Sequence, residues 1–480
     1  MKSRSLTIYW LVIAATLWAA FSRFHLIAAL PPQAWVDEAW IALHARKLLQ
    51  TGQVYVYYKT FWGGMHPFMV HLTALIQAAG FDSLITSRAI STVAGVLTVP
   101  LAFACFDELW RGVWPAPRRL TAAFTALILS NLLYTVVVSR VGYEPALIPV
   151  PMLFFVWQMR RAQRTGRWSS WIAAGLVLGL TQYVSHHARF LILLVVTLAL
   201  HDLVCLRPSA WHGEDSPAVQ RRRLIIGLGV CAAAAILVAL PLIVFFVREP
   251  EWMLARGRAV TAIPRQTGAS FLLENLKLIL LSFNFGGDVN PRRNLPGRPM
   301  FDCIQSAGLW VGIVWSVLRF RRVAPARDLL AWLAIMTLPS IITDEAPQFE
   351  RMIGAAAPAA ALVAIGWVTL WQWVGQWLER LRADGTKAHR LPVRGWPALL
   401  LVLVSLGLNT YDYYGRYPTT PGLSAAFTTT PVRLARQLIE RARSEPVFVE
   451  RITEAGDVFA FAFLFPGTPV RRLDFRQCLP

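Results

Sequence analysis

Residues 224–247 read LIIGLGVCAAAAILVALPLIVFFV, an apolar run with no charge in it. At about 1.5 Å per residue, a helix of that length crosses the roughly 30 Å of hydrocarbon in a bilayer. Arg221, Arg222 and Arg223 stand directly before the run; Arg248 and Glu249 follow it. An apolar run closed by charges is a membrane span, and the arginine triplet marks its cytoplasmic end. Similar runs lie on both sides, at approximately 6–28, 88–106, 120–138, 144–159, 170–184, 189–206, 306–319, 328–343, 353–375 and 397–410. The expected fold is therefore an all-α polytopic membrane protein of about 11 transmembrane helices.

Composition agrees. Of 480 residues, 56% are hydrophobic and only 15% charged, against about 25% charged in soluble domains. A soluble enzyme, a disordered chain and a disulfide scaffold are excluded. Lys and Arg number 47 against 27 Asp and Glu, a net charge of +20. Such an excess could suit nucleic acid, but it is also what cytoplasmic loops carry.

The segment 66–80 decides between these readings. It is apolar but short for a span. If it does not cross, the basic clusters at Arg111–Arg119, Arg160–Arg167, Arg207–Arg223, Arg319–Arg327 and Arg380–Arg394 all fall inside. If it crosses, all of them move outside, against the positive-inside rule. The expected topology has 66–80 as a half-helix on the outer side, the N-terminus in the cytoplasm and the C-terminus outside. Residues 6–28, behind Lys2 and Arg4, are longer than a signal-peptide core and precede many more spans, so they form the first span. Most of the charge excess is then used by inner loops, and nucleic acid is excluded as a partner.

Residues 1–410 form the membrane domain, with outer loops 30–87 and 248–305. Residues 411–480 form an extracytoplasmic tail. There Thr430 and Pro431 are suited to start a helix running to about Ser444, and β-type runs follow at Val447–Ile452 and Val458–Phe465. A small α/β domain docked on the outer face is expected. Cys105, Cys205 and Cys231 lie in apolar runs and read as core; Cys303 and Cys478 lie outside and could pair. No CxxC or zinc spacing occurs.

Charges near hydrocarbon cost about 2.5–3.5 kcal/mol each at a helix centre, so charged groups at span ends call for a reason. In this topology they collect on the outer rim. Asp37 and Glu38 follow the first span; His66 opens the half-helix; Arg88 opens the second span. Arg140 and Glu144 share a tight turn, His186, His187 and Arg189 another, and Glu345, Glu350 and Arg351 a third. Arg292 and Arg293 come from loop 284–299. Taken singly, an arginine can snorkel to headgroups and Glu144 can pair with Arg140. Together they suit a substrate half in lipid and half in water.

The order of these motifs resembles the GT-C membrane glycosyltransferases of glycosyltransferase family 39. They are Asp37-Glu38 after the first span, His66-Pro67 at an apolar segment, Arg88-x-x-Ser91-x-x-x-Gly95 at a span, Ser139-Arg140 with Glu144, and Arg351 after Glu350. That group includes the protein O-mannosyltransferases and the bacterial lipid A aminoarabinose transferase. The resemblance implies a GT-C fold, a polyprenyl-phosphate-linked sugar donor and transfer on the outer face of the plasma (inner) membrane. It places the catalytic acid on Asp37, with Glu38 beside it and a second acid at Glu144. It places the phosphate-binding arginine on Arg351, a further arginine on Arg88 and a polar group on His66; with Arg189, these are the candidates for the donor phosphate. His186, His187, Arg292 and Arg293 are further substrate contacts. Two departures stand out. The chain has no room between late spans for the lumenal repeat domains of the O-mannosyltransferases, and His66 replaces a lysine of the lipid A enzyme. Neither family acceptor carries over, so protein, lipid and glycan acceptors all stay open.

The chemistry fits one carboxylate. A polyprenyl phosphate leaves without a proton, so Asp37 as base suffices, and inversion follows from direct attack. No cofactor is required. Asp37, Glu38, Glu144 and the histidines could supply ligands to a divalent metal, but arginines can fill the cation's role. The competing class is a transporter or flippase of a lipid-linked or polar substrate. Transporters carry repeated halves and ionisable groups at the midplane, whereas here those groups sit at one rim and no repeat is evident.

Overall fold

The structure is a computed structural model. It describes residues 2–60, 63–111, 118–204, 217–260, 269–381 and 396–427, and short pieces beyond at 432–433, 437–438, 441, 448–450, 463–464 and 471–473. The helices are α1 (Lys2–Phe24), α2 (Val36–Thr51), α3 (Phe68–Ala78), α4 (Thr86–Leu109), α5 (Arg118–Asn131), α6 (Leu133–Ser139), α7 (Pro149–Thr165), α8 (Trp168–Thr181), α9 (Arg189–Val204), α10 (Pro217–Arg248), α11 (Pro250–Val260), α12 (Ala269–Ser282), α13 (Cys303–Leu318), α14 (Ala324–Ile341), α15 (Ala356–Leu381) and α16 (Trp396–Tyr411). Every expected span carries a helix within a few residues of its place. Among the described residues, 5 helices are by themselves long and apolar enough to cross a membrane, and 6 if α5 and α6, bent by 56°, count as one. The chain is a multi-pass membrane protein. α3 has 11 residues and rises about 16 Å, half a bilayer core.

α15 runs through the core. Its alanine-rich stretch Ala355–Ala364 is fully buried. α13 crosses it on Gly308 and Gly312: a methyl on Gly308 would lie 2.6 Å from the Trp367 ring nitrogen, and one on Gly312 would run into the Leu362 carbonyl. Gly175 and Gly179 of α8 meet the backbone of α10 in the same way. Small residues four apart let helix backbones approach closely where lipid offers no hydrophobic drive to association. At the end of the bundle away from Glu144, Arg160 donates to Asp202 at 2.5 Å and Asp328 at 2.9 Å, tying α7 to α9 and α14.

The break between α5 and α6 has a built partner. Arg23 of α1 is buried and donates to the carbonyls of Ser130 (2.8 Å) and Leu129 (3.3 Å) and to Ser139 Oγ (3.0 Å). A cation thus meets the negative end of the α5 dipole. Gly95 of α4 has no room for a side chain, since a methyl would lie 2.7 Å from both Arg23 Nε and Ser139 Cβ.

The tail is described in pieces. Those between 432 and 441 are helical, as expected. Phe448–Glu450 pairs in parallel with Arg471–Leu473. The strand expected at Val458–Phe465 differs at its described residues, since Phe463 and Leu464 are helical. Cys303 is exposed; Cys205 and Cys478 lie outside the described residues, as do Arg207 and the basic stretch 382–394.

Candidate functional site

The site is built on the segment joining α1 to α2. Arg88, at the start of α4, donates to the carbonyls of Ile27 (3.1 Å), Pro31 (2.9 Å) and Gln33 (2.5 Å). Its Nε and Nη2 reach Glu38 at 2.8 and 3.1 Å. Glu38 also accepts from the Trp35 N–H and, across the chain, from the Gly142 N–H, both at 2.8 Å. Both side chains are fully buried. Ser91, one turn after Arg88, accepts from the Tyr143 N–H at 3.2 Å. A side chain at Gly142 would collide with Ser87. The Arg-x-x-Ser-x-x-x-Gly spacing of α4 therefore clamps loop 27–38 to turn 139–144. Arg140 does not pair with Glu144. It donates to the carbonyls of Ser22 and Arg23 (2.9 Å each) and Leu30 (2.8 Å).

The clamp brings Asp37 and Glu144, one from each segment, close enough to act on one another. Asp37 is half-buried and accepts no hydrogen bond among the described residues. Burial pushes its carboxyl up to about 6; Arg256 and Arg292 pull it down, and Glu350 and Glu38 push with the burial. Glu144 lies in the turn ahead of α7. Burial, then Asp37, lifts it to about 8, against the pull of Arg256. Both acids are raised, Glu144 further than Asp37, so the pair gives up its two protons in separate steps.

Cations face them. Arg351 is largely buried, and its Nη1 has no hydrogen-bond partner. Burial works against its charge and Glu350 works for it. Arg189 donates to the Met253 carbonyl at 2.7 Å, while its buried Nη2 has no partner. His66 packs edge-on to His186, ring centroids 4.5 Å apart, with Tyr57 5.3 Å away. Burial holds His66 well below the usual histidine range, assisted by His186 and Arg189. The Gln182 backbone approaches the ring, but neither nitrogen meets hydrogen-bond geometry. His186 Nε2 lies 3.1 Å from the Gly64 carbonyl, and His187 Nδ1 lies 3.0 Å from Ser185 Oγ. Arg292 stacks on the Trp35 ring at 4.3 Å. Arg293 is consumed by Asp288 (3.4 Å), Glu345 (3.0 Å) and Glu350 (3.5 Å).

Asp37, Glu144, Arg292, Arg351 and His187 thus converge, with His66, His186 and Arg189 around Tyr57 beside them. Glu38, Arg88 and Arg293 turn into the protein instead. Sequence reasoning missed Arg256, which acts on Asp37, Glu144, His187 and Arg351 alike. It sits on α11, whose backbone passes so close to Gly63 that a methyl there would lie 2.6 Å from the Arg256 Cα. Glu350 was visible in the sequence but not assigned to the cleft. Among the described residues, no three His, Cys, Asp or Glu side chains are grouped to hold a metal ion.

No family model and no curated protein matches the chain. Solved structures do. ArnT from Cupriavidus metallidurans bound to undecaprenyl phosphate aligns with 98% of this chain and 90% of that one, at 14% identity and a TM-score of 0.60. The oligosaccharyltransferase AglB from Archaeoglobus fulgidus, in complex with an inhibitory peptide and a dolichol-phosphate, aligns with 97% of this chain at 13% identity and a TM-score of 0.58. The chain spans 60% of that protein's length. These likenesses show the fold, which is of the GT-C type.

Proposed function

We propose that, on this GT-C fold, the chain transfers a glycosyl group from a polyprenyl-phosphate-linked donor to an acceptor hydroxyl at the outer membrane boundary. One observation carries the reading. Asp37, a carboxylate pushed up to about 6 and acted on by Arg256 and Arg292, shares a rim with buried guanidinium nitrogens of Arg351 and Arg189 that have no hydrogen-bond partner. A base and unsatisfied cations side by side suit a reaction that removes a proton and releases a phosphate. Both solved structures hold a polyprenyl-type phosphate, dolichol-phosphate in one and undecaprenyl phosphate in the other, which supports the donor class.

Asp37 takes the acceptor's hydroxyl proton as the oxygen attacks C1 of the sugar. The bond from C1 to the phosphate oxygen breaks, its electrons pass to the phosphate, and attack from the opposite face inverts C1. Negative charge grows on the leaving phosphate, so cations aimed there favour the transition state over the ground state. Arg351, Arg189 and Arg256 fill this role. Arginine suits it because its planar fork binds phosphate through two N–H groups and stays charged. His66 is neutral and offers the phosphate a hydrogen bond but no charge. Protonated Glu144 donates to the acceptor or the sugar, and His186, His187 and Arg292 line the substrate path. Glu38 and Arg88 position Asp37 instead of touching substrate. The active site and C-terminus face out and the N-terminus faces the cytoplasm, as the basic loops require. No cofactor enters the scheme.

Asp37→Asn removes the base and preserves shape. Transfer from a polyprenyl phosphate sugar in membranes should fall by about 100-fold or more. Full retained activity would remove Asp37 from the mechanism.

A further inference from the structure

The helix that carries Asp37 has two packed faces, and the second one belongs to the tail. Trp40, Ile41 and Ala45 of α2 enter the main core of the bundle. Ala39, Ala42, Leu43 and Arg46 recur at intervals of three and four, so they form another stripe. Ala34, Ala39 and Ala42 pack with Leu84, at the head of α4, and with Val432 and Phe463 of the tail. Two of its four side chains are alanines, and Val432 and Phe463 supply the bulk that packs on them.

Arg46 fastens this contact. Its Nη1 donates to the Phe463 carbonyl at 2.7 Å, and its guanidinium lies over the Phe463 ring, 3.6 Å from the centroid. Its Nε and Nη2 both reach Asp82 Oδ2, at 3.0 and 2.6 Å. One side chain thus joins three parts of the chain: the tail, α2 and the segment between α3 and α4. The attachment lies nine residues, about 14 Å, along the helix from Asp37. A helix transmits a displacement over that length, and a base misplaced by about 1 Å loses much of its rate.

We propose that Arg46 and Phe463 are positioning residues for Asp37: the tail straps α2 against the bundle and so fixes where the carboxylate stands over the substrate. The Glu38 clamp holds the first turn of α2 and the strap holds its far half. The strap acts through helix placement and touches no substrate. The inference rests on Asp37 being the base.

The test uses the full chain in membranes, with kcat and the donor KM measured separately. Arg46→Ala and Phe463→Ala should each lower kcat about tenfold or more while the donor KM stays within about twofold. The double variant should fall no further than the worse single one, because the two side chains form one contact. Arg46→Lys keeps the charge and helix propensity but loses the fork, and it should lower kcat as well; it carries the test if Arg46→Ala does not accumulate. Wild-type kcat in Phe463→Ala and Arg46→Lys, multiplying losses in the double variant, or a raised donor KM at unchanged kcat would each overturn the strap. An active Asp37→Asn variant would remove the base whatever the strap variants do, so the two failures read differently.

Discussion

Replacing Glu38 by alanine tests whether the clamp beside the site is structural. In the wild type, Glu38 accepts four hydrogen bonds with no water access: two from Arg88 and one each from the Trp35 and Gly142 N–H groups. Glu38→Ala leaves the Arg88 guanidinium buried without its counter-charge. Breaking one side of a buried pair costs about 3–5 kcal/mol. Arg88 keeps three carbonyl acceptors, which favours the lower end, about 3 kcal/mol. The two stranded N–H groups add about 1 kcal/mol each. The expected loss is therefore about 5 kcal/mol, enough to unfold a marginal membrane protein. Removing the stranded charge as well, in Glu38→Ala with Arg88→Met, should recover about 2 kcal/mol relative to the sum of the single losses. The assay is reversible unfolding of the purified chain in mixed micelles with rising denaturing detergent. A loss under about 1 kcal/mol for Glu38→Ala, or additive losses in the double variant, would show that the clamp does not hold the fold.

Other expectations concern the chemistry and the topology. Because Asp37 ionises near 6 instead of its ordinary 3.8, kcat should climb with pH and level off above about 6; Arg256→Ala should move that limb upward, since Arg256 holds the carboxyl down. Glu144 ionises near 8, so activity should decline above that pH, and Glu144→Gln, which has no proton to lose, should flatten the alkaline side. Arg351→Ala should lower kcat/KM for the donor about 10- to 100-fold at normal expression, as expected for losing a charge-assisted bond to the leaving phosphate; an unchanged kcat/KM would detach Arg351 from the donor. With Cys303 and Cys478 replaced by serine, a cysteine placed by Arg111→Cys should react with an impermeant thiol reagent only after the membrane is opened, and labelling of intact cells would invert the topology.

The spans were legible because a bilayer imposes length and charge rules on the chain that no soluble fold does. The short segment 66–80 and the arginine clusters decided the expected topology between them. Rim residues were legible as a group for the same reason. Their individual roles were not. Asp37 and Glu38 are adjacent in sequence, yet about 100° apart around α2, so one opens to the cleft and the other turns to Arg88. Composition cannot tell those directions apart. Arg88 looked like a free cation at a span end, but the carbonyls that occupy it belong to a loop sixty residues earlier. Arg256 escaped notice because it lies between spans in a polar stretch with no motif. The available signal was Pro250 with Glu251 in a first turn and Arg258 in a last, a helix start and stop over the rim.

Arg23 has a consequence for how the protein is made. α1 leaves the ribosome before α5, yet the α5 carbonyls that accept from Arg23 lie on Leu129 and Ser130, more than a hundred residues later. Until those residues arrive, a cation stands near the end of a span with only the long contacts to Ala19 and Ser22 of its own helix, and insertion of that end is resisted. Arg140 repeats the arrangement in reverse, delivering its charge to the carbonyls of Ser22 and Arg23. The C-terminal end of α1 therefore settles only when α5 and α6 dock against it.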